Sequence, residues 1–330
     1  MSPIFLMMFA VLGICGVAFK FAADWVEGLN QMHPDAQKYR LGDRINEAGG
    51  VTAGTDYYVD GNIEFNGDGE SWDTPYDNLT EALAASHADI ADSTLRGWAK
   101  RNRIFVKGNK LEEDLDLFAQ KTDIIGMGSC DAFMGVGILG NHVPANTCLG
   151  TRFFNCNFFP VASEDIMTIG STLSGLEFHN CRFVGAWNSG DGVKTAGAAI
   201  IVTGSPMGKI MDCTFEGAFS DAVIELVSGD LSGMKIVGNT IMGGVDAGIQ
   251  VTGAVTVIGA TSSIMIRGNF VQVATVTIDD NANAGVFTID NRCISAGAYG
   301  ATSHVITVET ACGNIVTGNN NTLDVPIKAV

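Results

Sequence analysis

The residues of this sequence that could catalyse a reaction are carboxylates. Hydrolysis of a glycosidic bond needs two carboxyl groups about 5 to 9.5 Å apart, and a lyase needs a Ca²⁺-binding carboxylate cluster with a Lys or Arg base. The candidate catalytic pair is Asp279 and Asp280, and two weaker groupings are Glu164 with Asp165 and Asp221 with Glu225. The alternative interpretation is that all of these are solvated carboxylates at turns of an acidic surface.

Metal and cofactor chemistry is not indicated. The five histidines are not paired at metal-ligand spacing, and the sequence contains no C-x-x-C pair, phosphate-binding loop or G-x-S-x-G motif. We therefore predict no metal and no cofactor. The eight cysteines are interpreted mainly as buried free thiols, and they are Cys15, Cys130, Cys148, Cys156, Cys181, Cys213, Cys293 and Cys312.

Three residues are candidates for contact with a glycan or another receptor. Trp187 lies in a predicted loop, GAWNSGDG, and Tyr299 is a second aromatic outside the predicted core. Arg182 is predicted to face outward and could bind a polar ligand. Packing within loops is the alternative role for the two aromatic residues.

The composition argues against a disordered chain and against a nucleic-acid-binding protein. The chain has 330 residues, of which 46% are hydrophobic and 17% charged, so it has enough apolar material for a folded core. Its 36 acidic and 19 basic residues give a net charge of −17. Because nucleic-acid affinity depends on Lys and Arg that neutralise phosphates, we predict no nucleic-acid partner.

The N-terminal segment has three possible interpretations. Residues 4–19 are apolar or Gly, and the run extends to residue 23 if Lys20 reaches the membrane surface. It could be a membrane anchor, a secretory signal peptide without a basic start, or a helix that is buried in an assembly.

Local patterns predict a short module before the repeats. Residues 56–60, 103–108 and 122–129 read as strands, and turn formers dominate residues 66–78. A helix is predicted over residues 79–91, with Asn78 as N-cap and Glu81 bonding back to it. A second short helix is expected near residues 94–100. The first helix should cover the open end of the structure that follows.

A pattern of about 27 residues repeats through the rest of the chain. Its anchor positions are Cys156, Cys181, Cys213, Asn239, Asn269, Asn291 and Asn319. An apolar residue usually lies three positions before each anchor and another two positions after it. A second family of strands lies between the anchors, at residues 165–170, 198–204, 222–229, 248–253 and 304–311.

These repeats predict an all-β fold, a right-handed single-stranded parallel β-helix (a solenoid). One coil cannot close a core alone, but stacked coils pair in parallel at about 4.8 Å. Like residues then stack inside, with Asn side chains in hydrogen-bonded ladders. A β-propeller or a leucine-rich repeat would need a different repeat unit. The predicted parts are an N-terminal helical segment and linker (1–50), a module that begins and caps the β-helix (51–120) and the rungs (121–330).

The segments YYVDG, NGDGESWDTPYDN, RIFVKGN and the N-C-x-F rungs resemble right-handed parallel β-helix proteins of the pectate-lyase-like superfamily. The resemblance is greatest to those encoded by tailed bacteriophages and environmental viruses, and it covers residues 55–330. It implies the fold more than the function, because the same scaffold carries lyases, hydrolases, tailspikes and structural rods. The G-H-G and R-x-K motifs of polygalacturonases are absent.

We therefore expect a non-enzymatic virion protein, structural or receptor-binding like a tailspike, fibre or decoration protein. It would be assembled in the host cytoplasm as a homotrimer and act outside the cell. Residues 1–50 would bind other virion proteins, and the rod could bind a host surface glycan. The alternatives are a polysaccharide lyase or glycoside hydrolase, and a membrane-anchored or secreted cell-surface β-helix whose residues 4–23 contact the membrane.

Overall fold

The structure is a computed structural model that describes most of the compact unit Gly54–Val330. The described residues are 54–92, 100–108, 110–128, 135–188, 193–243, 247–256, 263–273, 276–280, 286–289, 291–295, 306–308, 315–317, 320–321 and 328–329. The predicted N-terminal helical segment and the predicted helix near residue 94 lie outside this part. Within it, no helix is long and apolar enough to cross a membrane.

The fold is an all-β parallel solenoid in which successive strands alternate among three long sheets. Sheet 1 has ten strands: β1 (Asp56–Asp60), β2 (Asn102–Lys107), β4 (Thr122–Gly126), β7 (Arg152–Phe154), β11 (Glu177–His179), β16 (Lys209–Met211), β19 (Lys235–Val237), β22 (Ile264–Arg267), β25 (Val286–Ile289) and β28 (Ile315–Thr317). All of its neighbouring strands pair in parallel.

Sheet 2 has nine strands: β3 (Leu111–Glu112), β5 (Val136–Leu139), β8 (Cys156–Phe159), β12 (Arg182–Val184), β17 (Thr214–Glu216), β20 (Thr240–Met242), β23 (Phe270–Val273), β26 (Arg292–Ser295) and β29 (Asn320–Asn321). Sheet 3 has seven: β9 (Met167–Ile169), β15 (Ile200–Thr203), β18 (Ile224–Asp230), β21 (Ala247–Thr256), β24 (Val276–Asp280), β27 (Ile306–Val308) and β30 (Lys328–Ala329). The remaining described strands are the parallel pair β6 (Cys148–Leu149) and β10 (Leu173–Ser174) and the antiparallel hairpin β13 (Ala186–Asn188) and β14 (Val193–Thr195).

The predicted register of the repeats is confirmed. In sheet 1 the residue three positions before each anchor pairs with its counterpart on the next rung, from Phe153 to Val316. In sheet 2 the residue two positions after each anchor pairs likewise, from Phe158 to Asn321. The predicted second strand family did not include β24 and β30, which both belong to sheet 3.

The interior is built from files of like side chains. The rings of Phe158, Phe183 and Phe215 stack with centroids 4.9 Å apart on successive rungs, and all three side chains are fully buried. This arrangement removes a large apolar area from water and adds the attraction of offset ring pairs. The described thiols of Cys148, Cys156, Cys181 and Cys213 are free and buried, as predicted.

The buried asparagines form the predicted ladder. Asn239 Oδ1 accepts a hydrogen bond from the Cys213 backbone N–H (2.9 Å), and Asn239 Nδ2 donates to the Ile210 carbonyl (2.9 Å). Asn269 repeats both contacts one rung later, accepting from Asn239 N–H (3.0 Å). Because each amide satisfies backbone groups on a neighbouring rung, the ladder fixes the stacking of the coils at one corner.

The helix α1 (Leu79–Asp92) caps the first rungs, with Leu79 and Leu83 in the main core cluster. Asn78 Oδ1 accepts from the Glu81 N–H (2.8 Å), which confirms the predicted N-cap. The Glu81 carboxylate accepts instead from Asn66 Nδ2 (2.5 Å), so the bond back to Asn78 was predicted wrongly. Glu113 supplies the second cap, because its carboxylate accepts from the N–H groups of Leu79 and Thr80 (2.7 Å each).

The edge of β1 is covered by the turn segment that precedes α1. Tyr58 N–H donates to the Gly69 carbonyl, Tyr76 N–H donates to the Tyr58 carbonyl, and Asp60 N–H donates to the Tyr76 carbonyl, all at 2.8 to 2.9 Å. This pairing leaves few free backbone groups on the first strand of sheet 1, which is a general way to prevent edge-to-edge aggregation.

Candidate functional site

The proposed catalytic pair does not lie at a turn. Asp279 and Asp280 are consecutive residues of β24 inside sheet 3, in register with Gln250 and Val251 on the preceding rung. Asp279 is half-buried, and its Oδ2 accepts a weak hydrogen bond from Gln250 Nε2 (3.4 Å). Because consecutive strand positions alternate between the two faces of a sheet, the backbone of β24 does not direct this pair at one substrate. The alternative interpretation, which placed these two carboxylates at a turn, is therefore wrong about their position.

The structure describes two of the three residues that were predicted to contact a ligand. Arg182 begins β12, and its Nη2 forms an ion pair with Glu216 Oε1 on the next rung. Only 16% of the Arg182 side chain is exposed, so this guanidinium is mainly a link between rungs. Trp187 lies in β13, so the prediction of a loop was wrong, and its backbone pairs with Lys194 of β14. Tyr299 lies outside the described residues.

The hairpin β13–β14 borders a surface cleft of about 550 Å³. Its lining combines charged residues from β3 and the segment after it with apolar residues from the ends of β5 and β8. The lining residues are Lys110, Glu112, Glu113, Asp114, Leu139, Pro160, Val161 and Lys194. We call this the hairpin cleft.

Two of the cleft carboxylates are held by the fold. Glu113 binds the N-terminus of α1, and it also accepts from Thr80 Oγ1 (2.5 Å). Asp114 Oδ1 accepts from the Asn141 backbone N–H (2.7 Å). These bonds fix the acidic wall of the cleft, because each carboxylate is oriented by backbone donors from another segment.

The remaining charged groups are available to a ligand. Lys110 Nζ lies 2.6 Å from Glu112 Oε1, and both side chains are more than half exposed. Lys194 has no acidic partner in the part of the chain that the structure describes. An exposed ion pair such as Lys110–Glu112 contributes about 0 to 1 kcal/mol to stability, so a ligand could replace it at little cost.

A neutral histidine lies behind the acidic wall. His142 is fully buried, its Nδ1 accepts from the Leu115 backbone N–H (3.2 Å), and its ring packs edge-on against Phe158. Burial lowers the pKa of His142 to about 4, although the nearby Asp114 acts in the opposite direction. The ring is therefore uncharged near neutral pH, and it positions the backbone beside Asp114.

A different carboxylate pair from the predicted ones is brought together by the fold. Asp165 and Asp221 lie on either side of Gly197, at the corner that leads into sheet 3. A Cβ atom on Gly197 would lie 2.5 Å from Asp165 Oδ1 and 3.1 Å from Asp221 Oδ2. Asp165 Oδ1 also accepts from the Ala198 N–H (2.8 Å). The gap left by a glycine thus lets two carboxylates from separate rungs approach the same point.

Asp165 and Asp221 were predicted in other pairs, and the hairpin cleft was not predicted from the sequence. Its acidic wall is visible in the sequence as the charged run KLEED at 110–114, directly after the second strand of sheet 1. The opposite wall, at Lys194, could not be found in the same way, because it depends on where the hairpin folds. Among the described residues, no group of three or more His, Cys, Asp or Glu could hold a metal ion.

Comparison with known proteins identifies no matching family model and no matching curated protein. Among solved structures, the chain is similar to a tailspike protein mutant of E. coli bacteriophage HK620 in complex with a pentasaccharide. The match has 13% sequence identity and a TM-score of 0.31, and it covers 86% of this chain. The chain spans 63% of the length of that tailspike chain.

Proposed function

We propose that this chain is a non-enzymatic receptor-binding protein of a virus particle that binds a host surface glycan in the hairpin cleft. It would act as a homotrimer outside the cell and attach to other virion proteins through residues 1–50. The observation that carries the glycan proposal is the hairpin cleft, and the sequence resemblance to phage β-helix proteins supports the location.

The lining of the cleft suits a sugar chain. Val161 is exposed and offers apolar surface for the C–H face of a sugar ring, while the neighbouring lining residues Leu139 and Pro160 are buried. Lys194 and the exposed Lys110–Glu112 pair offer charged donors and acceptors for hydroxyl or carboxylate groups. The lining is more charged than that of a typical small-molecule site, which suits a ligand rich in hydroxyl or carboxylate groups.

The test is binding of purified host surface polysaccharide to the immobilised protein. Replacing Lys194 with Ala removes a charged hydrogen-bond donor, and such bonds contribute about 1.5 to 3 kcal/mol, so we expect at least tenfold weaker binding. The control is Lys107→Ala, which removes a lysine from the outward face of sheet 1, away from the cleft. Equal affinities of both variants and the wild type would contradict the assignment of the cleft.

A second candidate function is cleavage of the glycan, which the Asp165–Asp221 pair favours. A pair of carboxylates on separate rungs would supply the two acidic groups that a glycoside hydrolase needs. The measurement is release of reducing ends or unsaturated sugars from the same polysaccharide. Product that disappears in both Asp165→Asn and Asp221→Asn, but persists in Asp279→Ala, would establish this function and overturn the non-enzymatic proposal.

A further inference from the structure

Sheet 1 carries an unusual share of the positive charge. Six of the 19 Lys and Arg residues of the chain occupy alternate, outward-facing positions of its strands, and these are Arg103, Lys107, Arg152, Lys209, Lys235 and Arg267. Four of the 36 acidic residues occupy such positions, and these are Asp56, Asp60, Asp123 and Glu177. This face is therefore positive in a chain whose net charge is −17.

The positive charge increases toward the C-terminal rungs of sheet 1. Each of the four acids lies within ion-pair distance of a basic residue on this face, for example Glu177 Oε1 with Lys209 Nζ at 2.6 Å. No acid follows Glu177 at the described outward positions, whereas Lys235 and Arg267 are both exposed. We call Lys209, Lys235 and Arg267 the basic strip.

The outward face of sheet 3 has the opposite character. Its central positions run in register through Thr168, Ile201, Glu225, Gln250 and Asp279. The outward positions of β9, β15, β18, β21 and β24 include acidic residues but no Lys or Arg, and Lys328 of β30 continues the column two rungs beyond Asp279. We call Glu225, Gln250 and Asp279 the acidic strip.

The two strips occupy the same three rungs. Each rung runs from a strand of sheet 1 through sheet 2 to a strand of sheet 3. Lys209 therefore shares a rung with Glu225, Lys235 with Gln250, and Arg267 with Asp279. Copies related by rotation about an axis parallel to the stack keep each rung at the same height. Such a rotation can bring the basic strip of one copy to the level of the acidic strip of the next.

The residues beside the basic strip suit a protein partner better than a sugar. Lys209 and Lys235 lie in one outward column of sheet 1, and Arg267 lies in the adjacent column, which runs through Ile125, Phe154, His179, Met211 and Val237. The Phe154 ring stacks on His179 (4.9 Å), and the Arg152 guanidinium lies 5.5 Å from its centroid. Aromatic, Met and Arg residues are enriched at protein interfaces. The Phe154 ring, which already contacts His179 and Arg152, is less available for stacking on a sugar.

We infer that a second copy of this chain docks its acidic strip onto the basic strip, in a heterologous contact that repeats around a closed ring. The inference rests on the homotrimer in the proposed function and identifies the two faces that hold it together. A heterologous contact uses a different patch on each partner. It therefore requires that two separate faces of the same chain have complementary charge.

Charge reversal tests the contact in the full chain by sedimentation velocity. We expect Lys235→Glu with Arg267→Glu to raise the dissociation constant of the oligomer at least tenfold, and Glu225→Lys with Asp279→Lys to do the same. The chain carrying all four changes restores complementarity, so it should associate nearly as well as the wild type. A control, Glu64→Lys, reverses an exposed charge outside both strips and outside the hairpin cleft.

The fourfold variant separates this contact from a general effect of charge or misfolding. Loss of association in both double variants and recovery in the fourfold variant would support the inference. A monomeric wild type, or double variants with unchanged association, would overturn it. A fourfold variant that stays monomeric while its circular dichroism matches the wild type would also overturn it. If Lys194-dependent polysaccharide binding persists in any of these cases, the glycan proposal stands. A monomeric wild type then removes the homotrimer of the proposed function, and the other outcomes remove only the interface.

Discussion

The asparagine ladder predicts a large effect for one small substitution, Asn239→Ala. The side chain is 1% exposed and makes three hydrogen bonds, to Cys213 N–H (2.9 Å), the Ile210 carbonyl (2.9 Å) and Asn269 Oδ1 (3.0 Å). Alanine leaves the buried Cys213 N–H without its acceptor and the Ile210 carbonyl without this donor. Each buried polar group left unpaired costs about 1 to 3 kcal/mol, so we expect a loss of about 2 to 5 kcal/mol.

Urea unfolding followed by circular dichroism measures this loss. The matched control is Asn66→Ala, because Asn66 also makes side-chain hydrogen bonds, to Glu81 (2.5 Å) and to Asp77 N–H (3.2 Å), but at an exposed position. We expect the control to lose about 1 kcal/mol or less, since water replaces its partners. Equal losses in the two variants would refute the argument that the buried ladder holds the rungs in register.

Three further predictions follow from the core and the cap. Cys213→Asn should extend the ladder by one rung and stabilise the protein by about 1 kcal/mol in urea unfolding; a loss would show that the thiol position cannot accept an amide. The folded pKa of His142 is about 4 against an ordinary value of 6.5. Between these two values only the unfolded state takes up a proton at His142, so the contribution of His142 to the free energy of unfolding is complete above pH 6.5 and is lost as the pH falls toward 4. Unfolding at pH 7 and pH 4 should show about 3 kcal/mol of this loss in the wild type and not in His142→Phe. Glu113→Gln should cost about 1 to 2 kcal/mol by weakening the cap of α1, and an unchanged melting temperature would contradict that role.

The repeat could be predicted because identical environments recur once per coil. Each interior file needs one type of side chain, so Phe153, Phe178 and the anchors from Cys156 to Asn291 show the period directly in the sequence. The strand β24 was not recognised as a member of the second strand family, although its sequence VTIDD lies between the anchors Asn269 and Asn291. Asp279 and Asp280 were considered only as outward carboxylates, either catalytic or solvated at a turn, and not as part of a strand.

The site was harder to predict than the fold because its parts come from separate rungs. Asp165 and Asp221 meet only because Gly197 lies between them on the intervening rung. Glu113 caps a helix that begins 34 residues earlier, so its role depends on the stacking of the first coils. Neither relation has a local sequence signal, since both arise from the number of residues in each coil.

The most direct test of the account is the distance between two outward positions of sheet 1 in solution. Residues 103 and 235 lie in one register column, five strand steps apart, through Asp123, Arg152, Glu177 and Lys209. Spin labels introduced at these two positions through non-natural amino acids can be measured by double electron–electron resonance. The stacked solenoid predicts a narrow distribution near 24 Å, from about 4.8 Å per step. A broad distribution, or a mean beyond about 35 Å, would contradict the stacking on which both the cleft and the proposed interface depend.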